Sequence, residues 1–147
     1  MNHKTNILFL CTGNSCRSQM AEGLTKHFAG DKFNAFSAGI ETHGLNPNAV
    51  KVMQEIGIDI TSQKSELIEK YASEPIDIVV TVCASAHETC PIFPGNCKVV
   101  HAGFDDPPAL AKQVAADGGS QDQQLDCYRN VRDQIKSFIS NMPENLN

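Results

Sequence analysis

Near its start the chain carries a short continuous apolar run, Ile7-Leu8-Phe9-Leu10, leading into Cys11. A run of that length without polar alternation marks a strand covered on both faces. Apolar positions at Met20, Ala21, Leu24 and Phe28 follow at helical spacing, and Phe33 to Ser37 reads as a second strand stopped by Gly39. Asn46-Pro47 supplies an N-cap and a proline at the first helical position; Val50, Met53 and Ile56 continue that helix, and Gly57 is placed to end it. Leu67, Ile68 and Tyr71 suggest a short third helix, the run from Ile76 to Cys83 is the strongest strand pattern, and Lys98 to His101 gives a fourth.

The last helix has the fullest pattern. Ser120 and Gln123 fit a capping box, and Leu125, Tyr128, Val131, Ile135, Phe138 and Ile139 mark an apolar stripe. A shorter helix and loop precede it over Ala109 to Gly119. Strands alternating with helices imply parallel pairing and right-handed crossovers, hence a three-layer α/β sandwich. Without repeats, low-complexity tracts or a linker, residues 1–147 read as a single domain.

Composition narrows the function classes. A chain of 147 residues with 41% hydrophobic and 20% charged residues is long enough to bury a core and unlike a disordered chain. Twelve basic residues against seventeen acidic ones leave a net charge of −5, without the basic stripe that phosphate neutralisation requires, so nucleic acid is not an expected partner. Ile7 to Leu10 falls far short of a membrane span of ~20 residues. It is also shorter than a signal-peptide core of roughly 7–15. The expectation is a cytoplasmic protein, a monomer by default, with no membrane partner. Six cysteines stand at 11, 16, 83, 90, 97 and 127. Their gaps do not make the paired spacing of a zinc site, and no metal or cofactor is expected. Several cysteines in one small reducing-compartment domain point to catalytic or redox chemistry.

That chemistry centres on Cys11-Thr12-Gly13-Asn14-Ser15-Cys16-Arg17-Ser18, at the junction of the first strand and first helix. Such a loop can aim successive backbone N–H groups at one point in front of a helix N-terminus and hold a tetrahedral oxyanion. Gly13 and Asn14 tolerate left-handed backbone angles. Arg17 can close the cradle with a two-pronged grip, and the same positive field favours a thiolate on Cys11. Ser18 can donate to that thiolate or to the anion. The loop lacks the Gly-Lys-Ser/Thr ending of a nucleotide-binding P-loop, and no G-x-G-x-x-G occurs.

With these residues the chain resembles the low-molecular-weight protein tyrosine phosphatase superfamily. The stretch from Cys11 through Gly23 is closest to its arsenate reductase branch. The likeness continues through Ser37 to Gly44, Val80 to Cys83, Cys90-Pro-Ile, Gly103 to Pro107, Arg129 and Val131 to Ile135. The resemblance implies a four-stranded parallel sheet with helices on both faces. It assigns the nucleophile to Cys11, oxyanion binding to Thr12 through Ser18, and a general acid to Asp106; the residues alone do not separate Asp106 from Asp105.

A cradle of this kind does not distinguish phosphate from arsenate; the second attack does. A phosphatase uses water, whereas a reductase uses further thiols. Cys83, at the carboxyl end of the third expected strand, shares that sheet edge with Cys11. A helix over 83–90 would hold the Cα atoms of Cys83 and Cys90 ~10 Å apart. A disulfide needs about 7 Å or less, so that bond requires the segment to unwind or loop. Ala84 to Thr89 is small and polar, a candidate redox switch. The resemblance thus implies that Cys11, Cys83 and Cys90 reduce arsenate, with a redox disulfide between Cys83 and Cys90 and thioredoxin as reductant; glutaredoxin with glutathione is the alternative. Cys97 is the reserve for Cys90, while Cys16, Cys97 and Cys127 otherwise read as ordinary thiols. His43, His87 and His101 read as surface or core positions. Some relatives hold potassium near positions matching Asn14, Glu22 and Ser37, but Glu66 replaces their aspartate and the ion is not carried over. Pro108 follows Asp106-Pro107, without the aromatic wall expected of a phosphatase. A phosphoester hydrolase and a noncatalytic oxyanion-binding module remain the rival readings.

Overall fold

A computed structural model describes residues 4–71, 73–82 and 97–146. The first apolar run forms β1 (Thr5–Cys11), longer by two residues at its start because Thr5 and Asn6 already pair with Phe33 and Asn34. Ile7, Leu8, Phe9 and Leu10 are all but fully buried, as a central strand requires. It is joined by β2 (Phe33–Gly39), β3 (Ile78–Thr81) and β4 (Lys98–His101), all parallel, in the order β2-β1-β3-β4. β2 runs two residues past Ser37 and ends at Gly39, the expected stop, which still pairs with Cys11.

The third strand is shorter than its apolar run suggests. Ahead of it, the Asp77 carboxylate accepts from the Asn6 N–H at 2.8 Å, and Asp77 N–H donates to the Asn6 carbonyl at 2.9 Å, so side-chain bonding leads into the ladder. Beyond it, Val82 still donates to the Leu10 carbonyl at 2.9 Å. Cys83, expected to end this strand, lies outside the described residues, as do Cys90, His87 and the 84–89 segment.

Helices cover both sides of the sheet. Ser37 of β2 reaches Glu22 of α1 (Arg17–Ala29), while its neighbour Phe36 meets Tyr71 in the 3-10 helix Ile68–Tyr71. Alternate strand residues face opposite ways, so α1 and the 3-10 helix lie on opposite faces. The expected third helix is this single 3-10 segment, and Leu67 before it is exposed. α2 (Pro47–Gln54) has the expected cap: Asn46 Oδ1 accepts from the N–H groups of Asn48 and Ala49. It ends before Ile56, and its buried face is Ala49, Val52 and Met53, so of the expected Val50, Met53 and Ile56 only Met53 lies on it. α3 (Pro107–Ala116) begins two residues earlier than expected, with its prolines in the first turn where no N–H is needed. α4 (Gln121–Ser140) has the full Ser120/Gln123 capping box and buries Tyr128, Val131, Ile135 and Ile139 against α1, α2 and α3. Phe28, expected in the core, is 48% exposed, with Lys136 Nζ 5.2 Å from its ring centre.

α4 grips the end of α2 through charge. Arg129 forks onto Glu55 (Nε–Oε1 3.0 Å, Nη2–Oε2 2.8 Å) and also meets Asp126 and Asp122. Arg132, nearly buried, donates to the Val52 carbonyl at 2.8 Å and to Glu55 at 3.0 Å. These hydrogen bonds, Arg129's first, hold the Glu55 carboxyl below its ordinary range against a smaller desolvation effect. A carboxyl depressed on folding adds stability above its unfolded value, lost as pH falls through the folded one. Glu55→Gln is therefore expected to lower Tm by about 3 °C at neutral pH. The gap from wild type should shrink progressively below about pH 4.3. A Tm gap constant between pH 7 and pH 3 would show that Glu55 acts through packing instead.

Candidate active site

Strand order places the site. The chain leaves β1 toward β2 on one side, while β3 leads toward β4 on the other, so the carboxyl ends of β1 and β3 flank the crevice where such sheets bind ligands. The Cys11–Ser18 loop stands there. Its carbonyls are turned outward and tied down. Cys11 O accepts from Ile40 N–H at 3.2 Å, Thr12 O from Glu41 at 2.9 Å, Gly13 O from His43 at 3.0 Å and Ser15 O from Asn46 at 2.9 Å. Asn14 O accepts from Gln19 Nε2 at 2.9 Å. In a trans peptide the following N–H points opposite to the carbonyl. The N–H groups of Thr12 through Cys16 are thereby turned to the inner side, as an oxyanion cradle needs.

Asn14 is the keystone. It alone among the non-glycine described residues has a left-handed backbone, with φ of 48°. Its fully buried side chain donates to Ser18 Oγ at 2.8 Å and accepts from Glu66 N–H at 2.6 Å. Because Ser18 Oγ receives that bond, its own proton is left to donate elsewhere. Gly13 serves differently from the expectation: its φ is not left-handed, but a Cβ there would strike the His43 ring. Gly39 lacks room for the same reason, since a Cβ would meet Glu41 O, Asn14 N at 2.8 Å and Thr12 O at 2.9 Å. Gly39→Ala is expected to cost about 1–3 kcal/mol and to weaken phosphate binding together. Urea unfolding and a phosphate titration would check both; if neither moved, the close approach at Gly39 would be unimportant.

The cradle opens into a cleft of about 480 Å³ lined by Cys11, Cys16, Arg17, His43 and Asp106 among others. Cys11 is 5% exposed at its floor. Arg17 donates through Nη1 to the Phe104 carbonyl at 2.9 Å, and its Nη2 lies 3.7 Å from Asp106 Oδ1. Asp106 occupies the N-cap position of α3 without capping it, so its carboxylate is available to the cleft. Asp105 instead lines a groove between α3 and α4, which separates the two acids the sequence alone left together. Burial pushes the Cys16 thiol up to about 12, against a lowering by Arg17, so it stays protonated beside the cleft. Cys97 precedes β4 at the amino-terminal edge of the sheet, the far edge from Cys11, and Cys127 lines the α3–α4 groove.

Several contributors were given no part in the site by sequence: Glu41, Ser65, the Gln19–Gln63 pair, His43, which read as a surface or core position, and Asn46, which read only as a helix cap. Ser65 Oγ donates to Gly13 O at 3.1 Å, and Gln63 Nε2 donates to Gln19 Oε1 at 2.8 Å. Glu41 and His43 fall within the Ser37–Gly44 likeness and Gln19 within the Cys11–Gly23 likeness, but the likeness gave none of them a role. Tyr128, whose phenol is pushed up by burial, accepts from Asn46 Nδ2 at 3.3 Å and ties α4 to this rim. Glu22, at one of the positions associated with potassium, is engaged by Ser37 and by Lys26, each at 2.5 Å. Among the described residues no cluster of three or more His, Cys, Asp or Glu is placed to hold a metal, and no helix is long and apolar enough to cross a membrane.

Residues 6–147 match the family described as low molecular weight phosphotyrosine protein phosphatase. The chain belongs to this family. Within it, the chain is 50% identical over 144 residues to an arsenate reductase of Halalkalibacterium halodurans, covering 98% of both. It is 48% identical over 138 residues to an arsenate reductase of Bacillus subtilis, covering 94% of each. A solved structure described as an arsenate reductase in the phosphate binding state superposes with a TM-score of 0.73 at 31% identity, over 97% of this chain and 99% of that one. The fold is thus the α/β architecture of the family, with its four-stranded parallel sheet.

Proposed function

We propose that this chain is an arsenate reductase that converts arsenate to arsenite in arsenic detoxification, working as a single domain of residues 1–147. The observation that carries the reading is the 50% identity to a curated arsenate reductase across 98% of the chain, with Cys11 at the floor of an anion cradle. Arsenate is held by the N–H groups of Thr12 to Ser18 and by Arg17. The Cys11 thiolate attacks arsenic while Asp106 protonates the departing oxygen, leaving a Cys11–arsenic bond.

Cys83 thiolate then attacks Cys11 Sγ. The sulfur–arsenic electron pair passes to arsenic, which falls from As(V) to As(III) and leaves as arsenite, while Cys11 and Cys83 become a disulfide. Cys90 attacks Cys83, releases the Cys11 thiolate and forms the Cys83–Cys90 disulfide. A dithiol of the thioredoxin type returns both to thiols. The protein acts in the cytoplasm as a monomer, with no nucleic acid or membrane partner.

The test is a coupled assay with arsenate, thioredoxin, thioredoxin reductase and NADPH. Arsenate-dependent NADPH oxidation is the expected result. Phosphoester hydrolysis without it would instead make the chain a phosphatase, and neither activity would leave an anion-binding module. Replacing the thioredoxin pair with glutaredoxin and glutathione identifies the reductant.

A further inference from the structure

The rim of the cradle carries a side chain to which the relay gives no task. His43 is pinned at three points. Its N–H donates to the Gly13 carbonyl at 3.0 Å, its Nε2 lies 2.7 Å from Glu41 Oε2, and its ring rests so closely on Gly13 that a Cβ there would collide with Nδ1. A carboxylate only accepts, so Nε2 carries a proton toward Glu41, and the ring is held with its Nδ1 edge on the Gly13 side. With Gly44 and Leu45, His43 lines the cleft that also takes in Cys11, Arg17 and Asp106.

This placement bears on which oxyanions can enter. A group attacked by Cys11 sits at the floor, and the oxygen it loses lies opposite the sulfur, pointing out of the cradle toward the rim, where Asp106 supplies the proton. A free inorganic anion ends at that oxygen. A phosphoester continues from it, and its organic part must pass the rim. We propose that His43, positioned by Glu41, is a specificity-determining residue that confines the cleft to small inorganic oxyanions and obstructs the organic part of phosphoesters. The inference rests on the arsenate reductase reading and deepens it: the same cradle is kept from phosphoester chemistry by a pinned ring rather than by any change in the anion-binding loop.

The experiment compares wild type, His43→Ala, Glu41→Ala and Glu41→Gln. It measures hydrolysis of p-nitrophenyl phosphate, inhibition of arsenate-dependent turnover by phenyl phosphate and by inorganic phosphate, and thermal melting. In wild type, inorganic phosphate should compete well and phenyl phosphate poorly. His43→Ala should raise the ratio of phosphoester kcat/KM to arsenate kcat/KM by at least about tenfold and should bring the two inhibition constants together. Glu41→Ala, which frees the ring, should give a smaller change in the same direction. Glu41→Gln keeps an acceptor for Nε2–H and should behave like wild type.

An unchanged ratio and unchanged relative inhibition in folded His43→Ala would overturn the role of His43, even with wild-type arsenate turnover intact. If Glu41→Ala matched wild type while His43→Ala did not, the positioning by Glu41 would be wrong. Efficient phosphoester hydrolysis by wild type would overturn the inference directly. Wild type that turned over neither arsenate nor phosphoester, yet still preferred inorganic phosphate in a direct binding titration, would fail the functional reading while the selectivity of the rim stood.

Discussion

Cys11→Ser is expected to lower arsenate-dependent turnover by at least about 10⁴-fold while leaving the protein folded. The exchange replaces sulfur with a smaller oxygen at the end of β1, where the backbone is held by pairing with Gly39 and by the Ile40 N–H bond to its carbonyl. The chemistry depends on the thiol, because a serine hydroxyl stays protonated where a cysteine in a positive field becomes a thiolate. The cradle itself remains, so phosphate should still bind. Turnover from NADPH oxidation, circular dichroism and a phosphate titration read the three statements separately. A folded Cys11→Ser protein with substantial turnover would refute the assignment of the nucleophile.

Nearly as large an effect is expected at the two later thiols, and there the stage of arrest is the informative quantity. Cys90→Ser should release one equivalent of arsenite and then stop with Cys11 and Cys83 joined, because Cys83 can still displace arsenic. Cys83→Ser should stop earlier and release none. Each should lose nearly all sustained turnover with thioredoxin. Wild type oxidised by arsenate should carry Cys83–Cys90, with faster amide exchange across 84–89. Peptide mapping under nonreducing conditions distinguishes these bonds. A Cys83–Cys97 bond would move the last role to Cys97, although that residue lies at the far edge of the sheet from Cys11. Full cycling by Cys83→Ser would end the relay scheme.

The parts legible in the sequence were those written by local chemistry. Ile7 to Leu10 shows a doubly covered strand because every position must be apolar there, and Ser120 with Gln123 shows a helix start because both groups bond across a single turn. The anion loop is readable for a similar reason, since its glycine, asparagine and arginine lie within a few residues. What stayed hidden depends on distant partners. Phe28 fits the helical stripe, but its place on α1 turns it toward Lys136 and solvent. Ile76 and Asp77 open the strand pattern, yet the Asp77 carboxylate accepts from the Asn6 N–H. Asp105 and Asp106 differ only through the direction in which α3 starts. His43 acquires its place at the rim because Gly39 allows the Ile40–Asn46 stretch to run against the loop. The position of Glu55 beneath Arg129 and Arg132 likewise required the packing of α4 on α2.

The central position of β1 decides the order in which the molecule can come apart. Both edges of this strand are hydrogen-bonded, to β2 and to β3, and its core residues have almost no contact with water. Its amides can exchange only through openings that break the whole sheet, whereas β4, bonded to β3 and more exposed, can fray at far lower cost. The anion cradle is therefore rooted in the slowest-exchanging part of the protein. Partial unfolding at the periphery leaves it assembled, and the free energy that orders it is committed during folding rather than drawn from each encounter with an anion.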